Sequence, residues 1–365
     1  MGIEGVELLW LDLHLKVAHR TSYGVDVERP VILARVVTGE GEGWGECSAF
    51  ARPTYSEEYA EGVWEVLRRE LVPRVLGTDG GGVAAAMAPV QGNRMAKACL
   101  EMAVTDAGLR AAGRSLAESL GVTAGEVEAG AVIGTREDLG EVVDEVEALV
   151  GAGYRRVKAK IKPGWDLEPL RVLRSRFPEL GLQADANGAY TLADADRLTG
   201  LDELELLCLE QPLPADDLVG HGTLARRLRT PVCLDESITS LGRLEEALAL
   251  EACDVVCVKA GRLGGLRAAV AVHDRCLAAG IPVWCGGMLE TGLARAANAA
   301  LAGLPGFSLA GDLGGGDRFV EGDPAGVLVV TAGRVPVFAG PGVGPAPRGE
   351  ALGRVGTRRE WFPAR

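Results

Sequence analysis

Positive charge, histidine and long apolar runs are all scarce in this 365-residue sequence. Lys and Arg number 38 against 51 Asp and Glu, a net charge of −13. This balance argues against binding to nucleic acid or to an anionic membrane, because both need a basic surface. No apolar run approaches the roughly 18 residues that a membrane helix needs. The first residues lack the basic and apolar regions of a signal peptide, so we expect a cytoplasmic protein.

The eight cysteines include no Cys-x-x-Cys pair and lie mostly inside apolar runs. Disulfide frameworks are typical of small secreted chains, so we expect these thiols to be reduced and buried. The four histidines, at positions 14, 19, 221 and 273, lie in unrelated stretches. This scatter argues against a zinc site.

The order of apolar patterns predicts two domains and a returning tail. Residues 1–125 begin with three strand-like stretches separated by turn residues and continue with helical patterns, which predicts an α+β domain. Residues 126–317 alternate short apolar runs with amphipathic segments. Residues 318–365 are rich in Gly and Pro, with one strand-like piece at 326–331, and we expect them to pack back on the first domain.

The second region has the pattern of an α/β barrel. Its eight apolar runs begin near residues 129, 156, 180, 206, 231, 254, 281 and 307. Nearly continuous apolar strands that alternate with helices are typical of a buried parallel sheet. Eight such strands predict a closed barrel rather than an open sheet.

Charged residues close five successive runs of this predicted barrel. Lys160, Asp185, Glu210, Asp235 and Lys259 follow one another at intervals of 25, 25, 25 and 24 residues, one strand–helix unit per step. Because the C-terminal ends of barrel strands form the active site, we expect three carboxylates side by side between two lysines. A single charge at a strand end is usually a solvated turn residue, but five in phase are costly to bury unless they pair or bind an ion.

The three carboxylates predict a hard divalent cation. Asp185, Glu210 and Asp235 offer only oxygen donors, which suit Mg²⁺, with Mn²⁺ as a substitute. An octahedral ion held by three side chains keeps further positions for substrate oxygens and water.

Residues two apart on a strand share a face, which places Lys158 beside Lys160 and Asn187 beside Asp185. A lysine acts as a base near neutral pH only when its pKa falls, and positive charge from Lys158 and a metal would favour that fall at Lys160. Lys158 is therefore expected to tune the site or to contact a carboxylate. Lys162 is expected to lie past the rim, in solvent.

This arrangement predicts chemistry at the carbon next to a substrate carboxylate. A metal chelates the carboxylate, a flanking lysine removes the adjacent proton, and an enediolate results. Enolase-superfamily enzymes are the known precedent for this chemistry.

Several motifs resemble those of the enolase superfamily, muconate-lactonizing-enzyme subgroup. They are Lys158-Ala-Lys160, Asp185-Ala-Asn187, Glu210-Gln-Pro, Asp235-Glu-Ser and Lys259 with Gly261-Arg-Leu-Gly-Gly. Other stretches are similar to the o-succinylbenzoate synthase and N-acylamino-acid racemase family. They are Gly43-Trp-Gly-Glu-Cys, Met95-Ala-Lys-Ala-Cys-Leu-Glu-Met-Ala, Lys160-Ile-Lys-Pro-Gly-Trp-Asp and Trp284-Cys-Gly-Gly-Met-Leu-Glu-Thr-Gly.

The resemblance implies a modified TIM barrel, (β/α)₇β, beneath an α+β capping domain. It implies Asp185, Glu210 and Asp235 as Mg²⁺ ligands, Lys160 as the base and Lys259 as the opposing lysine. It also implies that cap loops at 19–24 and 50–55 shape the pocket. Tyr23 and Phe50 are candidate pocket walls there, with packing in the cap core as the alternative.

Three functions stay open, and the leading one is o-succinylbenzoate synthase of menaquinone biosynthesis. In that reaction Lys160 takes a proton from a cyclohexadiene carboxylate and then helps the hydroxyl to leave, while Lys259 stays an ammonium. The second is racemisation of N-acylamino acids, N-succinyl derivatives first, with both lysines exchanging protons; one enzyme can have both activities. The third, a non-catalytic metal-stabilised barrel, conflicts with the complete set of lysines and carboxylates.

The roles of two further residues stay ambiguous at this point. Arg262 is expected to touch a substrate tail or to tune Lys259, with a tight turn as the alternative. Glu290 is expected to contact substrate or to begin a helix. Gly188 and the glycine-rich stretch 311–317 depart from the family pattern near the pocket, which leaves the substrate open. We expect a small-molecule carboxylate as substrate and a homo-oligomer.

Overall fold

The computed structural model describes residues 2–21, 24–136, 138–316, 320–326 and 328–364. Tyr23, one of the two candidate pocket walls, lies outside these residues, as does Asp317 at the end of the glycine-rich stretch. No helix within the described ranges is long and apolar enough to cross a membrane.

An antiparallel sheet and a set of helices form the N-terminal region, as the sequence predicts. The strands are β1 (Ile3–Thr21), β2 (Gly24–Thr38) and β3 (Gly41–Cys47). β2 pairs with β1 on one side and with β3 on the other. The tight turn after Thr38 places that residue opposite Gly41 and so brings β3 beside β2. The helices are α1 (Ala60–Val66), α2 (Val72–Val75), α3 (Val83–Met87), α4 (Arg94–Ala111) and α5 (Leu116–Leu120). A π-helical turn, Leu67–Leu71, joins α1 to α2.

Helix α4 packs directly on β3 because two glycines leave the strand without side chains there. A Cβ at Gly43 or Gly45 would overlap the backbone of α4; at Gly45 it would lie 2.6 Å from the Ala103 nitrogen. Backbone atoms cannot rotate away as a flexible side chain can. These two glycines therefore set the distance between the sheet and its main helix.

Gly45→Ala is accordingly expected to lower the free energy of unfolding by about 3 kcal/mol, the upper range for an overpacked core. Gly353→Ala is the matched control, because a Cβ at that position meets nothing within 4 Å. Alanine there should stabilise the protein slightly, since glycine costs up to about 1 kcal/mol in a helix. Urea denaturation of both variants measures the difference, and equal stabilities would contradict the close packing.

Seven parallel strands in chain order form the wall of the barrel. After β4 (Glu126–Glu128) they are β5 (Ala131–Ile133), β6 (Arg156–Lys160), β7 (Gly181–Asp185), β8 (Leu209–Glu210), β9 (Val232–Leu234), β10 (Val255–Val258) and β11 (Val283–Cys285). The eighth predicted run is not a regular strand. It closes the barrel through single bridges, from Phe307 to Val283 and from Gly311 to Ala129.

Helices surround this barrel between successive strands. They are α6 (Leu139–Gly151), α7 (Leu167–Arg176), α8 (Ala195–Leu198), α9 (Leu218–Ala225), α10 (Leu241–Ala249), α11 (Ala260–Leu263), α12 (Leu266–Ala279) and α13 (Gly292–Ala302). Short 3₁₀ turns, Leu192–Asp194 and Thr199–Glu203, flank α8. Three cysteines and Trp284 pack together inside the barrel. All eight cysteines are buried, as predicted, and none is paired in a disulfide.

The tail contains a strand, but not in the described part of 326–331, where the sequence predicts one. It contains β12 (Arg334–Pro336), α14 (Gly349–Val355) and β13 (Gly356–Pro363). β13 extends the cap sheet beside β1, and β12 pairs with β4. The described part of 326–331 forms no strand, and Val329 is 60% exposed because no neighbouring strand accepts this apolar run. The domain boundaries at 125 and 317 stay predictions.

Candidate active site

The five charged residues predicted from the 25-residue spacing lie together at the C-terminal ends of the barrel strands. Strand register places Lys160 opposite Asp185 and Asp185 opposite Glu210. Asp235 and Lys259 directly follow β9 and β10. All five are at most 7% exposed. Burial of so many charges requires that each has a partner of opposite charge.

Lys160 is held by two oxygen acceptors, one at the end of the neighbouring strand β7 and one just after it. Its Nζ donates to Asp185 Oδ2 at 2.6 Å and to Asn187 Oδ1 at 2.7 Å. Asn187 has a φ of +43°, a left-handed conformation that asparagine tolerates better than most residues. Its Nδ2 donates to Glu236 Oε1 at 2.8 Å, which fixes the direction of the amide. The lysine ammonium is therefore oriented on two sides.

Lys259 is held in the same way, four strands further round the barrel. Its Nζ donates to Asp235 Oδ2 at 2.7 Å and to the Tyr55 hydroxyl at 2.8 Å. Burial opposes the charge of this lysine, but Asp235 raises its pKa well above the ordinary value. Arg262 donates to the other oxygen of Asp235 and to the Tyr55 hydroxyl.

Lys158 occupies the centre of the carboxylate cluster. Its Nζ lies 3.1 Å from Asp185 Oδ2, 3.0 Å from Glu210 Oε2 and 2.7 Å from Asp312 Oδ2. It also lies 4.7 Å from the ring centre of Trp284. Burial opposes its charge, but these carboxylates raise the pKa of Lys158 well above the ordinary value. The carboxylate contact expected from the sequence is present. Lys162 is exposed, as expected.

Asp312 is a site residue that the sequence reasoning missed. It ends the eighth run, bonds Lys158 on one side, and accepts from Arg156 Nη1 at 2.6 Å on the other. Burial opposes its charge, but Lys158 and Arg156 lower the pKa of Asp312. The signal was available, because Asp312 closes its run as Asp185 and Glu210 close theirs.

Tyr55 was named from the sequence only as one end of a cap loop. In the structure its hydroxyl donates to Asp235 Oδ2 at 3.2 Å, in addition to its contacts with Lys259 and Arg262. A residue of the capping domain thus completes a hydrogen-bond network in the barrel. No local pattern reveals this contact, because it depends on how the two domains dock.

Arg262 and Glu290 are placed away from the open part of the site. Arg262 is buried, and its Nε and Nη2 donate to the carbonyls of Ile238 and Cys257 at 3.0 Å each. Glu290 lies just before α13 and accepts from the Met288 nitrogen at 2.6 Å and from Asn298 Nδ2 at 3.0 Å. Glu290 thus holds a loop in position, and Arg262 both holds loops and bonds Asp235 and Tyr55.

A cavity opens between the capping domain and the barrel. Its walls include Lys158, Lys160, Asn187 and Lys259 from the barrel, with His19, Phe50 and Tyr55 from the cap. Phe50 is both a wall and a core residue, because it is 6% exposed and packs against Arg29. Burial, followed by the charge of Lys160, lowers the pKa of His19 to about 3, so this histidine is neutral near pH 7.

Two family descriptions together match most of the chain. Residues 8–121 match the mandelate racemase / muconate lactonizing enzyme N-terminal domain, and residues 141–351 match the enolase C-terminal domain-like family. The chain belongs to the enolase superfamily. It is an enzyme of the mandelate racemase / muconate lactonizing enzyme subgroup. The predicted enolase-like fold is confirmed.

Relatives of this enolase-superfamily enzyme have two different activities. It is 48% identical to an N-succinylamino acid racemase from an Amycolatopsis species, over 99% of this chain and 100% of the relative. It is 44% identical to an o-succinylbenzoate synthase from Geobacillus kaustophilus, over 88% of this chain and 87% of that one. A solved enolase-superfamily structure from Listeria innocua superimposes with a TM-score of 0.95 at 33% identity, covering 100% of both chains.

The donor set of this enolase-superfamily enzyme fits a hard divalent cation. Ligand atoms of Glu210, Asp235 and Cys257 lie within 4.8 Å of one another, and Asp185 is the strand neighbour of Glu210. Burial, then the Asp235 charge, raises the pKa of the Cys257 thiol well above its usual value. Hard cations prefer the carboxylate oxygens to a sulfur ligand. Burial and the Asp185 charge raise the pKa of Glu210 to about 8. A cation would relieve this crowding of carboxylates.

Chelation is expected to abolish turnover, and added Mg²⁺ to restore it. In Glu210→Gln, which keeps the side-chain shape, metal affinity should fall at least about a hundredfold, since even outer residues of metal sites cost up to that factor. Metal content after dialysis and kcat against Mg²⁺ concentration measure both effects. Turnover that survives exhaustive chelation would contradict a metal at these carboxylates. If the protein turned over no carboxylate substrate even with Mg²⁺, the hypothesis of a non-catalytic metal-stabilised barrel would be favoured.

Proposed function

We propose that this enzyme moves the proton on the carbon beside a substrate carboxylate, and that racemisation of N-succinylamino acids is its preferred reaction. The observation that carries the proposal is the position of two lysines. Lys160 ends β6, and Lys259 follows β10, four strands away in the sheet. The run at 307–312 takes the eighth place in the barrel wall, so a separation of four strands is half the circumference. The two ammonium groups thus line one cavity from opposite sides.

This geometry suits proton transfer on both faces of a planar intermediate. Lys160 in its neutral form takes the α-proton, which breaks the C–H bond and leaves the electron pair delocalised into the substrate carboxylate as an enediolate. Lys259 then donates a proton to the opposite face of the same carbon, which gives the other enantiomer. For the reverse reaction the two lysines exchange roles. Positioned acids and bases of this kind contribute about 10² to 10⁴ in rate.

The chain's own residues hold the two bases ready for these steps. Asp185 and Asn187 orient Lys160, while Asp235 and Tyr55 orient Lys259. We assign Asp185, Glu210 and Asp235 to the Mg²⁺ site. When bound there, the cation would offset the negative charge of the carboxylates and of the substrate, and would lower the pKa of Lys259 by occupying Asp235.

The second candidate function is the dehydration performed by o-succinylbenzoate synthase, the first expectation from the sequence. Here Lys160 removes the proton and returns it to the departing hydroxyl on the same face, so a single base suffices. Lys259 remains an ammonium, which agrees with its raised pKa beside Asp235. Racemisation takes first place because the racemase relative matches at higher identity and over more of the chain.

Direct comparison of kcat/KM separates the two functions. With Mg²⁺ present, the purified enzyme is given each enantiomer of an N-succinylamino acid and, separately, the cyclohexadiene carboxylate substrate of dehydration. We expect racemisation to have the higher kcat/KM and dehydration to be measurable, because both begin with the same proton abstraction. A tenfold preference for dehydration would reverse the order, and turnover of neither substrate would refute the proposal.

A further inference from the structure

One cation in the cavity wall has no part in the proton transfer. Arg136 lies in the loop between β5 and α6, and its Nη2 donates to Glu145 Oε2 of α6 at 2.8 Å. The two side chains are 19% and 24% exposed, and both line the cavity that contains the lysines. A partly buried pair facing a cavity is accessible to a ligand, unlike the fully buried pairs around Lys158.

Arg136 lies in the loop beyond the end of β5, whereas the two lysines stand at the ends of their strands. Ile133, the last residue of β5, pairs with Ala159, the residue before Lys160, and Arg136 follows three residues after Ile133. Arg136 and the lysines therefore line the same cavity from different elements.

The cavity wall also has an apolar part, which includes Val17, Phe50, Val132 and Met288. Besides the lysines and Arg136, the lining contains the cations Arg20 and Arg295. The wall thus combines separate positive groups with apolar side chains. A ligand with one carboxylate at each end and an uncharged middle matches this distribution.

We propose that Arg136 binds the second carboxylate of a dicarboxylate substrate, while the first carboxylate lies at the lysine end of the cavity. The inference rests on the proposed function, since both candidate substrates contain a succinyl group with a free carboxylate. The guanidinium fork matches a carboxylate in geometry and stays charged at any physiological pH. Glu145 serves as the resident counter-ion, which holds Arg136 in place and competes with the substrate for it.

The competition gives the two partners opposite effects on selectivity. The probes are the N-succinyl and N-succinamoyl derivatives of one amino acid, which differ only in the charge of the distal group. Arg136→Gln should lower the succinyl-over-succinamoyl ratio of kcat/KM by about tenfold, equivalent to about 1.4 kcal/mol. Glu145→Gln should leave that ratio unchanged or raise it. If the pair merely supports the loop, both variants should lower kcat/KM for both substrates alike.

The double variant Arg136→Gln/Glu145→Gln separates attraction by Arg136 from repulsion by a Glu145 carboxylate that has lost its contact with Arg136. The ratio should stay low in the double variant, and its recovery to the wild-type value would overturn the inference. Calorimetric Kd values for the two probes in wild type and Arg136→Gln give a readout that needs no turnover. If the wild-type enzyme binds the succinyl probe more tightly than the succinamoyl probe and Arg136→Gln removes this difference in Kd, the subsite is supported. If the wild-type enzyme turns over neither probe, the proposed function is refuted but the subsite is not.

Discussion

Lys160→Ala is expected to lower kcat for racemisation and for dehydration at least about a thousandfold, within the range lost with a positioned base. The reason is that both reactions start when Lys160 removes the α-proton. Alanine has no group that could accept this proton at the position of the Lys160 Nζ, between Asp185 and Asn187. Loss of the ammonium also leaves Asp185 with Lys158 as its remaining lysine partner. Steady-state kinetics with both substrates measure the effect.

Lys162→Ala is the matched control for that variant. It removes the same side chain two residues further along, from an exposed position beyond β6. Its kcat should stay within about twofold of wild type, since surface substitutions away from special features have little effect. If Lys160→Ala kept more than a tenth of the activity, the base would have to be a different group.

Lys259→Arg is expected to separate the two candidate reactions. Arginine keeps the positive charge beside Asp235 but does not release a proton at any relevant pH. Racemisation, which needs a second proton-transferring group, should fall at least about a thousandfold in kcat. Dehydration needs only a cation there and should fall far less. Kinetics on both substrates test this, and an equal fall in both would give Lys259 the same part in each.

The sequence predicts the barrel and the level of its charged strand-end residues because both follow from one strand–helix step. The 25-residue interval brings Lys160, Asp185 and Glu210 to one level, since each lies at the same point of its unit. Strand ends in a parallel barrel have few alternatives for where they point. The residue types then limit the chemistry.

Contacts between distant segments are less accessible from sequence. Tyr55 reaches Lys259 only because the cap docks on the barrel, and no periodicity records that docking. Asp312 closes its run as Asp185 and Glu210 close theirs, but this run forms single bridges rather than a regular strand. Glu290 has the residue type of a substrate contact, but its hydrogen bonds turn it toward a loop. Arg262 bonds Asp235 and Tyr55 as well as a loop carbonyl, a combination that no local pattern reveals.

The tail shows the same difference between a local pattern and its surroundings. Its apolar run at 326–331 has strand-forming residues, yet a strand also needs a neighbouring edge that accepts its hydrogen bonds. β13 is more polar along its length, but the free edge of β1 gives it partners from Gly5 to Leu11. Pairing, rather than composition, decides which segment of the tail becomes a strand.

Stereospecific exchange of the α-proton with solvent tests the two-base arrangement most directly. In D₂O the wild-type enzyme should place deuterium at the α-carbon of an N-succinylamino acid and interconvert both enantiomers. Lys259→Arg should still exchange the α-proton of one enantiomer, through Lys160, without forming the other. NMR and chiral chromatography follow both processes in the same sample. Enantiomers that still interconvert at the wild-type rate in Lys259→Arg would contradict proton transfer between Lys160 and Lys259.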